Sequence, residues 1–133
     1  MKTIDLQPNH RRSFSSTLFL LEKMVVEIRE VLSSGKALRM QQVEKDLSQE
    51  KKQQVFEVLD EIEVEIRLLA DKYQLVPQEM VESHFLNSRK SKAWEILNDS
   101  LSKRMNGFGA FPPELKEEFD SDIARLLQQV AKL

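Results

Sequence analysis

Histidine, carboxylate and serine are the side chains here with chemistry to offer, and their spacing decides which chemistry is open. The chain holds two histidines, His10 and His84, and no cysteine. Thiolate metal sites, cysteine nucleophiles and disulfides are therefore excluded. A di-metal centre inside a helical bundle needs inward carboxylates and Glu-x-x-His pairs on two helices. Three positions before His84 stands Val81, not glutamate. The acidic run Glu57, Asp60, Glu61, Glu63 and Glu65 avoids the apolar positions of its own segment, so it reads as a solvated face. No metal and no cofactor is expected. The serines Ser13, Ser15, Ser16, Ser33 and Ser34 read as helix caps and turn residues, and none lies in a Gly-x-Ser-x-Gly setting. The three glycines match no phosphate-binding Gly-x-x-x-x-Gly-Lys loop. Enzyme activity is not expected.

Phosphotransfer through His84 is the remote alternative, because histidine phosphotransfer domains are helical bundles with an exposed histidine. Those domains place a basic residue three positions after the histidine and a glycine next to it. The matching positions here are Asn87 and Ser88, with Lys90 and Ser91 further along.

Three features speak of binding rather than reaction. Arg89, Lys90, Lys92, Lys103 and Arg104 form a basic stretch that suits weak contact with a nucleic-acid backbone, and Arg11-Arg12 add to it. A solvated basic segment is the plainer reading, and a net charge of −2 argues against a chain built chiefly for nucleic acid. The segment Asn106-Gly-Phe-Gly-Ala-Phe-Pro-Pro113 concentrates glycine, proline and phenylalanine where an ordinary connection would be polar. Phe108 and Phe111 either plug one end of a bundle or meet a partner. Finally, the first apolar segment is wide: Met24 and Val31 broaden it on one side, and Phe19 and Val26 lie on the other, across Ser15, Glu22 and Arg29. An arc so wide suits a helix with neighbours on several sides, and Val64 and Leu68 of the second segment point the same way.

The elements that must carry these residues are helices. Phe14, Leu18, Leu21, Val25, Ile28 and Leu32 recur at spacings of four and three, and so do Val55, Leu59, Ile62, Ile66, Leu69 and Tyr73. At 3.6 residues per turn such spacing returns each side chain to one stripe. The first helix should run from a Ser13 or Ser15 cap to about Leu32, closed by Ser33-Ser34-Gly35. The second should run from the Ser48 cap to about Gln74, with Glu50 at the positive end of its dipole. Residues 36–47 read as a connector. Pro77 suits the first turn of a third helix. That helix carries Met80, Val81, Phe85, Leu86, Ala93, Trp94, Leu97, Leu101 and Met105, and should continue or merely kink through the polar stretch 87–92. Asn106-Gly107 stops it. A last helix after Pro112-Pro113 carries Leu115, Phe119, Ile123, Leu126, Val130 and Leu133.

The expected fold is all-α: a mainly antiparallel bundle of four principal helices, with a short extra helix or a break in the third as variants. A flexible polar lead over 1–12, in which Pro8 and Asn9 oppose helix, precedes one domain over 13–133. With 41% hydrophobic and 32% charged residues the composition is that of a soluble globular chain. No apolar run approaches the ~18 residues of a membrane span, and the polar start has no secretory h-region, so a cytoplasmic home is expected. The expected function is a non-enzymatic interaction module that pairs with itself or another protein through apolar helix faces. Its candidate contacts are Phe19, Val26, Phe108 and Phe111, and the alternative is a nucleic-acid-associated regulator using the basic stretch.

Overall fold

The computed structural model describes residues 2–34 and 38–133. It is 72% helical, with no strand among the described residues. Helices α1 (Pro8–Ser34), α2 (Gln49–Lys72), α3 (Glu82–Asn98), α4 (Ser102–Met105) and α5 (Lys116–Val130) follow one another in the chain. Four of these are principal helices, and α4 is a single turn. The chain divides into two compact units, Met1–Pro77 and Gln78–Leu133.

The first unit is a helical hairpin of α1 and α2. Its direction is antiparallel, because Phe14 near the start of α1 meets Tyr73 just past the end of α2, ring edge to ring face at 5.2 Å. Further along α1, Arg29 reaches back to Asp60 and Glu63 in the middle of α2. Four seam residues are buried: Leu18, Val25, Leu59 and Ile66. They are seven apart on each helix, so every second seam position lies on the line of closest approach.

The hairpin begins earlier than the sequence suggests. Proline has no N–H to lose and a φ already suited to a first turn, so Pro8 opens α1 instead of opposing it. The Arg11 guanidinium holds this entrance by pairing with the Asp5 carboxylate and donating to the Leu6 carbonyl at 3.3 Å. Ile4 donates its backbone N–H to the Lys72 carbonyl at 2.7 Å, which ties residues before α1 to the end of α2. Ser13 and Ser15 therefore lie inside α1 and cap nothing. At the other end Ser33 and Ser34 donate to the carbonyls of Arg29 and Glu30, one turn back. The Gly35 stop lies outside the described residues. Ser48 caps α2 as expected, its hydroxyl accepting the Lys51 N–H at 3.1 Å.

In the second unit α3 and α5 lie side by side. Asn87, Lys90 and Trp94 of α3 share a groove with Val130 and Ala131 at the end of α5, so this pair is antiparallel as well. Pro77 does not start α3. The helix begins at Glu82, because Met80 and Val81 are exposed and a turn over 77–81 would bury nothing. It stays continuous through 87–92 and ends at Asn98, then restarts as α4. The last helix has a two-part start, a 3₁₀ turn over Pro113–Leu115 running into α5.

The buried seven-residue repeat gives a direct check. Leu59, 3% exposed between the two helices, should lose about 3 kcal/mol of stability as Leu59→Ala. Removing the Ser48 cap as Ser48→Ala should cost only about 1 kcal/mol. Urea denaturation followed by circular dichroism separates the two.

Candidate functional site

The surface that stands out is one flank of the α1–α2 hairpin. Each helix advances about 100° per residue, so residues near the buried line fall to one side or the other. Arg29 lies on one side of the α1 line and Glu63 and Asp60 on the corresponding side of α2, joined at 3.1 Å and 3.0 Å. These bonds identify that flank as shared by both helices. The hydrogen bond to Asp60 first, and then Glu63, push the Arg29 guanidinium above its ordinary pKa.

Because that flank is shared, the opposite flanks of α1 and α2 must also share a side. On α1 it carries Leu21, Met24, Ile28 and Val31, spaced three, four and three, all exposed and Met24 by 59%. On α2 it carries Val58, Ile62 and Leu69, with Val58 exposed and the other two half-buried. Glu65 interrupts the α2 half. Thus one side of the hairpin is laced by ion pairs, and the other carries a row of partly exposed apolar side chains, of which Val31 lines pockets with Leu38, Val43 and Leu47 of the connector. Leu21 and Ile28 belong to the seam expected to be buried. Their exposure means that the seam is divided between the α2 contact and this open face.

The residues singled out by sequence are dispersed. Phe19 and Val26 lie on the ion-paired side of α1, both exposed, with the Lys23 ammonium 5.4 Å from the Phe19 ring centre. Phe108 and Phe111 behave differently from each other. Phe111 is half-buried against Phe119 of α5, ring centres 5.0 Å apart. Phe108 is 90% exposed. The loop between them is held in shape by the Asn106 side chain, whose oxygen accepts the Phe111 N–H at 3.0 Å. Gly109 takes φ 127°, a conformation that side-chain-bearing residues rarely adopt.

The basic stretch likewise does not form one patch of uncommitted cations. Arg89 lies over the Phe85 ring at 4.6 Å, and Lys90 donates to the Leu133 main-chain carbonyl at 3.4 Å. Lys92 is 3.9 Å from Glu95, one turn on. Lys103 sits on α4 near Asp120, and Arg104 follows it, exposed. Trp94, expected among core positions, is 58% exposed at the lip of the α3–α5 groove, which encloses about 340 Å³. His84 is exposed in the first turn of α3. Among the described residues no three His, Asp or Glu side chains are placed to hold a metal ion, and no helix is long and apolar enough to cross a membrane.

One polar contact in the second unit was not anticipated. Asp120 of α5 accepts both the backbone N–H of Ser102 at 2.8 Å and its hydroxyl at 2.7 Å. Ser102 is 1% exposed and starts α4, so a carboxylate from another helix caps that turn. The backbone hydrogen bond first, then the hydroxyl, hold Asp120 below its usual pKa of 3.8. This clasp explains why α3 stops at Asn98: the chain turns there so that Ser102 can meet α5. The sequence shows only an aspartate in an acidic run, so no local signal marked it.

No protein-family model matches the chain, and no curated protein or solved structure matches it either. The functional reading therefore rests on the faces described above.

Two outcomes follow from this geometry. A carboxylate whose folded pKa is depressed contributes its stability above the unfolded value, and that contribution is lost as pH falls through the folded one. Urea midpoints read by Trp94 fluorescence should therefore drop on acidification below about pH 4, and Asp120→Asn should flatten that drop while lowering the midpoint at neutral pH. In the loop, Phe111→Ala should cost about 2 kcal/mol for a half-buried ring, whereas Phe108→Ala should change stability by less than about 0.5 kcal/mol.

Proposed function

We propose that this chain is a non-enzymatic helical interaction module of the cytoplasm, which docks apolar helices on the open flank of its α1–α2 hairpin. The single observation behind this reading is the pattern Leu21–Met24–Ile28–Val31 beside Val58, Ile62 and Leu69. Spacing of three and four is what a helix needs to present a stripe to another helix. Isolated apolar side chains are ordinary on a protein surface, but a contiguous row spanning two helices is characteristic of an interface. The ion pairs of Arg29 sit on the other side of the hairpin and do not occupy this face. The absence of cysteine from the sequence suits a reducing compartment.

Phe108 supports a second, smaller contact on the other unit. A phenylalanine almost wholly in water is anchored by its neighbours, through Asn106 to the Phe111 N–H and through Phe111 to Phe119. A pre-shaped loop presenting an aromatic ring loses little entropy when the ring enters a pocket.

The module is tested by light scattering over a concentration series with wild type and with Met24→Ser/Ile28→Ser. Wild type should form complexes, with itself or with an added partner, that the double variant does not form. Circular dichroism should be the same for both, because these side chains are already exposed. Loss of helix in the variant would assign the row to the fold instead.

A further inference from the structure

We propose that the groove between α3 and α5 binds a small planar anion, a single aromatic ring carrying a carboxylate. The site lies wholly within the second unit and makes no use of the hairpin. Helix periodicity builds it. Asn87, Lys90, Ser91 and Trp94 stand at spacings of three, one and three, which sets all four on one face of α3 over roughly 10 Å. Val130 and Ala131 at the end of α5 form the opposite wall, and the space between is about 340 Å³. Ligand clefts run from about 300 to about 1,000 Å³, so this one is sized for one ring and its substituent.

The chemistry of the lining selects the ligand. The Asn87 carboxamide, the Ser91 hydroxyl and the Trp94 indole N–H have no hydrogen-bond partner among the described residues. Half-buried Lys90 directs one of its three hydrogens to the Leu133 carbonyl at 3.4 Å. That length is slack for a charged donor, which closes to about 2.8 Å on an anionic oxygen. No aspartate or glutamate lines the groove, so none of its walls neutralises the ammonium. Four donor groups therefore converge where a carboxylate, with its two acceptor oxygens, would be held. The other cations of α3 turn elsewhere, Arg89 over Phe85 and Lys92 toward Glu95. A single cation suits one anionic group, whereas a nucleic-acid backbone requires several. The ring requirement comes from Trp94. It is 58% exposed, and no ring or cation of the described residues lies over it. An aromatic ring offset on indole gains more than its buried area alone supplies, and Val130 and Ala131 give it an apolar wall.

Trp94 is the one tryptophan of the chain, so its indole N–H gives a single resonance that reports on the groove directly. The nitrogen-labelled full chain is titrated with benzoate and, separately, with benzamide, cyclohexanecarboxylate and inorganic phosphate. The proposal requires benzoate to shift the indole resonance with a dissociation constant of about a millimolar, the range open to so small a ligand in an open groove. Benzamide, of the same shape but neutral, should bind about tenfold more weakly, and so should benzoate to Lys90→Gln. Cyclohexanecarboxylate should bind about fivefold more weakly for want of a flat ring. The benzamide comparison uses wild-type protein, so it stands whether or not Lys90→Gln folds. Benzamide binding as tightly as benzoate removes the anion from the specification and overturns the proposal. Phosphate or cyclohexanecarboxylate matching benzoate overturns the aromatic ring. No shift of the indole resonance at about tenfold above a millimolar, or shifts only outside 87–94 and 130–131, overturns the site itself.

Discussion

Two helices packed side by side hide only the narrow stripe along which they touch, and the structure turns on that limit. In the α1–α2 hairpin the stripe is filled by Leu18, Val25, Leu59 and Ile66, seven residues apart on each helix. Everything apolar beyond it must find another neighbour or stand in water. On one side Arg29, Asp60 and Glu63 pair with one another, while Phe19 and Val26 of α1 stand exposed on the same flank. Such exposed ion pairs contribute little stability, at most about 1 kcal/mol each. The buried stripe sets the rotation of each helix, and this rotation turns Leu21, Met24, Ile28 and Val31 together to the side opposite these pairs.

The second unit solves the same problem with different means. Here α3 and α5 are short, Ile123 is the buried apolar residue of the pair, and Trp94 stays at the surface. Order comes from directional contacts. Asp120 caps the buried Ser102, Asn106 holds Phe111, and Phe111 packs at a tilt against Phe119. Hydrogen bonds of this kind define a chain path more sharply than apolar burial does, because a displaced donor or acceptor left without water is costly. The break after Asn98 and the shaped loop before α5 are both products of that network.

Helix content was readable because it is local. The four-three spacing of Phe14 to Leu32 and of Val55 to Tyr73 needs only the helical repeat, and the Ser48 cap needs only its own first turn. Errors arose where a neighbour decides. Pro8 looks like a breaker until its position in the helix is known, since the same ring is tolerated at the first residue and excluded further in. The start of α3 at Glu82 rather than Pro77 depends on what those turns could bury. The Asp120 clasp joins residues eighteen apart, invisible to any local window. As to the site, the excess width of α1 was visible, including Met24 and Val31 beside the seam. The pairing of flanks was not, because it is marked by Arg29 bonds to residues more than thirty positions away.

The central claim is the proposal that the open flank of the hairpin docks an apolar helix, and self-association is the form of it that the chain alone can test. Amide hydrogen exchange, measured along the sequence at a low and at a hundredfold higher protein concentration, bears on it most directly. The account predicts that exchange slows with concentration over 21–31, and less strongly over 58–69, while the loop around Phe108 is unaffected. An exchange profile independent of concentration, or protection that grows only outside the hairpin, would contradict it.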